Sequence, residues 1–276
     1  MKAVFSPVRM PRLNAELITA PAPALEFMGA DRHVGGRAYQ QDQVICLSTP
    51  DMKYQLLVVA DGVGGHWGGE LASKTVIEVA QRLFPAQLNQ FPESRGFLEY
   101  FCQTANHEIR ARAAQENQDA FSTVVALLTT PDRAYWAHVG DSRLYGFKGA
   151  ELVHQTSDHS LVQALFDQGR ITADERRIHP ERNRVLNVLG MNDTVQPTLG
   201  EISLTSDMAF LLCTDGFWEH VAVSEMPLIL AAADLSFAAS VWVRQAVRRA
   251  GAGGDNVAVA LWRSPPRSKR SWLPFR

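Results

Sequence analysis

Four apolar runs in this chain each deliver an aspartate: LLVVA before Asp61-Gly62, WAHVG before Asp141-Ser142, FLLCT before Asp215-Gly216, and Gly253-Gly254-Asp255-Asn256 immediately before VAVAL. A buried strand that ends in aspartate and glycine projects a carboxylate at the sheet edge, while the glycine admits a tight turn or a close backbone approach. One such pair alone most often makes a turn, since Asp and Gly dominate turns. Four of them after apolar strands point instead to carboxylates that converge. Converging carboxylates repel and raise one another's pKa unless a cation neutralises them. An all-oxygen set suits hard ions such as Mg²⁺ and Mn²⁺.

Other chemistries fail on spacing. No H-E-x-x-H is present, and His33, His66, His138 and His159 lack zinc spacing. The loop DGVGGHWGGE (61–70) has Trp67 where a dinucleotide fingerprint begun at Gly62 and Gly64 needs glycine, and no GK[ST] follows for a P-loop. A cysteine-dependent phosphatase needs Arg six residues after its Cys, and those positions hold Met52, Glu108 and Glu219.

The elements that must position the aspartates follow from periodicity. Short β-rich runs occur at 43–48, 54–60, 122–130, 133–139, 142–147, 150–154, 207–214 and 256–262. Helical spacing occurs at 69–84, where Leu71, Val76, Val79, Ala80 and Leu83 recur at three- and four-residue steps, and at 95–117, 159–168, 173–178 and 236–250. Thr172 with Glu175 reads as a capping box. Strands come in hairpin-like groups rather than in β-α-β alternation, which favours antiparallel sheets with helices packed outside, an α+β layered fold.

With 276 residues, 46% hydrophobic and 20% charged, the chain can bury a sizeable core. A single domain over 25–262 is expected, between an N-terminal extension (1–24) and a basic C-terminal tail (263–276). The net charge of −2 hides an asymmetry. Setting aside five basic residues in 263–276, and three basic and one acidic in 1–24, leaves 19 basic against 28 acidic in the body, a net of −9. Such a body argues against nucleic acid as a partner, because phosphate contacts need clustered Lys and Arg. The tail, with Trp272, Leu273 and Phe275 among its cations, reads first as a solubilising end and second as a docking segment for an anionic partner or membrane surface. Cys46, Cys102 and Cys213 form no framework, no window supports a membrane span, and 1–24 makes a poor signal peptide, so a cytoplasmic monomer is expected.

Together the motifs resemble the metal-dependent protein phosphatases (type 2C, PPM) in their bacterial serine/threonine form. The resemblance rests on eight segments in order: GGRAYQQD (35–42), VVADGVGGHWGGE (58–70), FSTVVA (121–126), HVGDSRLY (138–145), TSDHSLVQAL (156–165), HPERNRVLNVLG (179–190), LLCTDGFW (211–218) and GDNVAV (254–259). It implies a four-layer α-β-β-α sandwich with two central, mainly antiparallel sheets and two Mn²⁺ or Mg²⁺ ions between them. Asp61 would bridge both ions, the Gly62 carbonyl would bind one, and Asp215 and Asp255 the other. Asp42 would act through metal-bound water, Asp141 would help hold a third, weaker ion, and Arg37 would clamp the substrate phosphate. The implied reaction is hydrolysis of phosphoserine or phosphothreonine by direct attack of a metal-bridging hydroxide, on a phosphorylated protein and in opposition to a Ser/Thr kinase. Residues 155–190 would form the flap beside the site.

The chain departs from the family pattern in three places. Gln40-Gln41-Asp42 replaces the usual Asn-Glu-Asp or Asn-Gln-Asp. Val63 stands where some relatives have a general-acid His, with His66 nearby, and Asp255-Asn256-Val257-Ala258 replaces Asp-Asn-Ile-Thr. Gln40 and Val63 keep a second reading open, a catalytically silent module that binds phosphoproteins or a kinase.

Overall fold

The computed structural model describes residues 26–65, 67–88, 91 and 93–265. The N-terminal extension and most of the basic tail lie outside them, as does His66. In chain order the elements are β1 (Met28–His33), β2 (Asp42–Ser48), β3 (Gln55–Val63), α1 (Gly68–Gln87), α2 (Ser94–Glu116), β4 (Phe121–Ser122), β5 (Val124–Thr129), β6 (Arg133–Val139), β7 (Arg143–Lys148), β8 (Glu151–Gln155), α3 (Leu161–Asp167), α4 (Ala173–Ile178), β9 (Thr198–Ser203), β10 (Met208–Cys213), α5 (Asp215–Trp218), α6 (Met226–Leu230), α7 (Leu235–Ala250) and β11 (Val257–Arg263).

One sheet runs β1-β11-β10-β7-β8 and the other β2-β3-β5-β6-β9, with β4 beside β3. Every pairing is antiparallel. Strand alternation builds the layers, because successive side chains point to opposite faces. On β3, Leu56, Val58 and Ala60 meet α1 and α2, while Leu57 and Val59 face the other sheet. On β10 and β11, Leu211, Cys213, Val257, Val259 and Leu261 meet α6 and α7, while Phe210, Leu212, Ala258, Ala260 and Trp262 fill the space between the sheets. Strands buried on both faces read as continuous apolar runs, which is why they were visible in the sequence. The result is the expected α-β-β-α sandwich.

The helices follow the same logic. On α1, Ala72, Val76, Val79, Ala80 and Leu83 are buried at helical spacing, and on α7, Leu235, Ala238, Ala239, Val243 and Ala246 are. The Thr172 capping box forms as read. Helix α1 runs on through Pro85, past the expected end at 84.

Four elements went unread: β1, β9, α5 and α6. MGADRH and TLGEIS carry little alternation, because β1 and β9 are partly exposed edge strands whose partners supply most of the order. Asp61 and Gly62 lie inside β3, which continues to Val63, rather than beyond its end. Asp215 does not sit in a turn; it opens the short helix α5. Among the described residues no helix is long and apolar enough to cross a membrane.

Phe210 is fully buried between the sheets and packs against Trp262 at a tilt of 47° with ring centroids 5.7 Å apart. Phe210→Ala is expected to destabilise the fold by about 3–5 kcal/mol, read as a lower urea midpoint at unchanged m-value.

Candidate active site

The aspartates meet at one end of the sandwich, and the register explains how. Asp42 opens β2 and lies directly opposite Asp61 on β3. The Thr214 hydroxyl, at the end of β10, donates to Asp42 Oδ2 at 2.7 Å and accepts from the Ala258 N–H at 2.9 Å. One residue on, Asp215 starts α5. A single threonine therefore ties the two sheets together between two of the carboxylates.

Asp255 is placed by its neighbour. The Asn256 amide donates to the Val34 carbonyl (2.8 Å) and the Tyr39 carbonyl (3.0 Å) and accepts from the Gln41 N–H (2.6 Å), stapling the loop that carries Arg37 to the start of β11. The same loop approaches so closely that a Cβ on Gly35, whose φ is +63°, would lie 1.9 Å from the Asp255 carbonyl oxygen. Arg37 itself is exposed and its Nη2 donates to Asp255 Oδ2 at 2.7 Å. The Gln40 side-chain oxygen accepts from the Asp42 N–H at 2.9 Å, so this glutamine supplies a hydrogen bond to the Asp42 backbone.

Asp61 is fixed through its backbone. Its N–H donates to the Thr123 hydroxyl (3.0 Å), and its carbonyl accepts from the Thr123 N–H (2.8 Å) and the Ser122 hydroxyl (3.1 Å). Thr123 in turn shares a hydrogen bond with Ser142, next to Asp141. At Gly69, a Cβ would stand 2.5 Å from the Gly62 carbonyl oxygen, so glycine there leaves that oxygen room.

Asp141 and the helix that Asp215 opens are linked through Trp218, on which a largely buried arginine packs. Arg143 grips both oxygens of Asp158 at 2.7 Å and lies 3.5 Å above the ring of Trp218, the last residue of α5. The Trp218 indole N–H donates to the Asp141 carbonyl at 3.1 Å. The segment 155–190 joins here too, since the His159 N–H donates to the Gly140 carbonyl at 2.8 Å.

Electrostatics follow from this crowding. Burial, opposed by the Thr214 hydrogen bond and reinforced by Asp255, pushes the Asp42 carboxyl up to about 7. Burial first, then the neighbouring carboxylates, hold Asp61 and Asp215 well above the usual carboxylate range. Burial and Asp158 raise Asp141 to about 6. Among the described residues no three His, Cys, Asp or Glu side chains close into a ready ligand cage. A cation here would complete its shell with water and backbone oxygen, which is how Mg²⁺ sites are usually built. The acidic, all-oxygen donor set fits a hard divalent ion on charge and on ligand type.

All the residues singled out in the sequence, Arg37, Asp42, Asp61, Gly62, Asp141, Asp215 and Asp255, sit at this end. Thr214, Thr123, Ser142 and Arg143 were missed as supports. Only the hydroxyl next to two of the aspartates, in CT-Asp215 and Asp141-Ser142, hinted at them. Val63 is exposed and carries no proton to give.

A raised carboxyl pKa in the folded state means that folding stability falls as pH rises from the unfolded value near 4 through the folded value. Metal-free Asp42→Asn keeps an acceptor for Thr214 and removes that penalty. It is expected to exceed metal-free wild type in stability by about 1–3 kcal/mol at pH 7.5, the difference shrinking towards zero near pH 4 in parallel urea titrations.

The family model described as Protein phosphatase 2C matches residues 30–241. Protein phosphatase PhpP of Streptococcus pneumoniae is 31% identical over 208 residues, covering 75% of this chain and 84% of PhpP. Among solved structures, the serine/threonine phosphatase PstP/Ppp of Mycobacterium tuberculosis superimposes with a TM-score of 0.76 at 30% identity, over 86% of this chain and 97% of that one. The catalytic domain of PstP in complex with two manganese ions gives a TM-score of 0.73 at 29% identity, over 86% and 96%. By family model, by relatives and by fold, the chain belongs to the protein phosphatase 2C family of serine/threonine phosphatases.

Proposed function

We propose that the protein hydrolyses phosphoserine and phosphothreonine in proteins with a pair of divalent cations, Mn²⁺ or Mg²⁺, held among its aspartates, and that it opposes a Ser/Thr kinase. The observation that carries this reading is the gathering of Asp42, Asp61, Asp141, Asp215 and Asp255 at one end of the sandwich, where burial and then the neighbouring carboxylates raise the cost of ionising Asp61 and Asp215. Asp61 with the Gly62 carbonyl would hold one ion and share the second with Asp215 and Asp255, Asp42 would orient water, and Asp141 would serve a third, weaker position. When bound, the cations supply Lewis acidity, ready ionisation of water at neutral pH, and neutralisation of phosphoryl charge.

The chain's own groups do the rest. Arg37 is anchored on Asp255 through one nitrogen, which leaves the remaining face of its planar fork to bind two phosphate oxygens. The Thr214 hydroxyl, in donating to Asp42 Oδ2, holds that carboxyl in orientation. Val63 donates nothing, so the proton for the leaving alkoxide has to come from water or from another group. Gln40, which bonds the Asp42 N–H, removes one ground for reading the site as silent. The free thiols of Cys46, Cys102 and Cys213 accord with a reducing cytosol as the site of action.

Purified protein should hydrolyse p-nitrophenyl phosphate with Mn²⁺ and stop on addition of EDTA; turnover that survives thorough chelation contradicts the proposal. Asp215→Asn should lose about a thousandfold or more in kcat while keeping its circular dichroism, and excess Mn²⁺ should raise the Tm of wild type but hardly that of the variant.

A further inference from the structure

A groove of about 410 Å³ lies between the start of α1 and the end of α2, lined by Trp67, Glu70, Leu71, Lys74, Glu116 and Gln118. Trp67 is 67% exposed, an unusual outlay of apolar surface on a short glycine-rich loop. Its walls are continuous with the site. Gly62 packs so tightly on the first turn of α1 that a Cβ there would lie 2.0 Å from the Gly69 carbonyl oxygen, and Gly68 is equally close to the Asp119 carbonyl. From Asp119 the chain runs straight into β4, whose Ser122 and Phe121 pair with Gly62 and Val63. Both rims of the groove are therefore fixed to the strand that carries Asp61.

The groove has a sign as well as a shape. Lys74 is engaged by Glu70 in an i,i+4 ion pair, and Glu70 also answers the positive end of α1. Glu116 is exposed and has no ion-pair partner among the described residues. It stands at the C-terminal end of a 23-residue helix, where the backbone adds negative partial charge. Trp67 and Leu71 offer apolar and π surface directly beside that charge. A cation flanked by a bulky aliphatic or aromatic side chain satisfies both at once, with the cation able to lie over the indole face.

We propose that this groove docks the segment of the phosphoprotein substrate next to the phosphorylated residue, and that it selects a basic residue neighbouring a large apolar one. The inference rests on the phosphatase reading and names the flanking sequence that reading leaves open. A basic flank also relieves the repulsion between an anionic substrate and a body of net charge −9.

The test is steady-state kinetics on two phosphothreonine peptides that differ only in the flank, Lys-Leu in one and Glu-Ser in the other, with p-nitrophenyl phosphate as a third substrate. Wild type should show a KM about tenfold lower for the Lys-Leu peptide. Trp67→Ala and Glu116→Lys should each bring the two peptides to within about twofold, with kcat and KM for p-nitrophenyl phosphate unchanged. Both positions are exposed, and a lysine favours a helix C-terminus, so folding is not at risk. Equal KM values for the two peptides in wild type, or a preference that survives both variants, overturns the docking site while p-nitrophenyl phosphate hydrolysis stands. Absence of p-nitrophenyl phosphate hydrolysis in wild type with Mn²⁺ overturns the phosphatase reading on which the docking site rests.

Discussion

Repulsion among carboxylates is the constraint that the rest of the molecule answers. Asp61 is pressed by Asp42, Asp215, Asp141 and Asp255, and Asp215 by most of the same set. Carboxylates free to move would separate or protonate. Here they cannot separate, because each is delivered by a different strand or strand-end of two sheets locked by a common core of Leu57, Val59, Phe210, Leu212, Ala258, Ala260 and Trp262. Folding free energy gained in the core is thus spent on holding like charges together, and a bound divalent cation would return part of it.

Hydrogen bonds turn that crude convergence into a defined site. Thr214 spans the sheets, Thr123 holds the backbone of Asp61, Asn256 staples the Arg37 loop to Asp255, and Arg143 connects α5 to the segment that carries Asp158, through Trp218. None of these side chains bears the net negative charge of the site. Their contribution is orientation, which phosphoryl transfer needs more than it needs covalent chemistry. Arg143 is the most consequential of them, since removal of its guanidinium would leave the largely buried Asp158 without a counter-charge.

Asp61, Asp141, Asp215 and Asp255 were legible because each ends or borders an unbroken apolar run, whereas Asp42 was found only through the resemblance. LLVVA, FLLCT and VAVAL could hardly be anything else. Edge strands offered no such signal: MGADRH and TLGEIS are strands because β11 and β6 provide a hydrogen-bonding edge, not because of their own pattern. The supporting residues were hidden for a different reason. Thr214 meets Asp42 across 172 positions of sequence and Asn256 meets Gln41 across 215, and no local periodicity encodes a pairing of that span. Resemblance to the family supplied the order of the motifs, while only the fold disclosed that Gln40 makes a bond of its own.

The central claim is that this end of the sandwich exists to hold cations. Anomalous diffraction at the manganese edge, from crystals grown with MnCl₂ and free of phosphate, tests it most directly. Two strong peaks are predicted in contact with Asp61, one shared with the Gly62 carbonyl and the other with Asp215 and Asp255. Manganese bound only elsewhere, or none within ligand distance of Asp61 at millimolar MnCl₂, would contradict the claim.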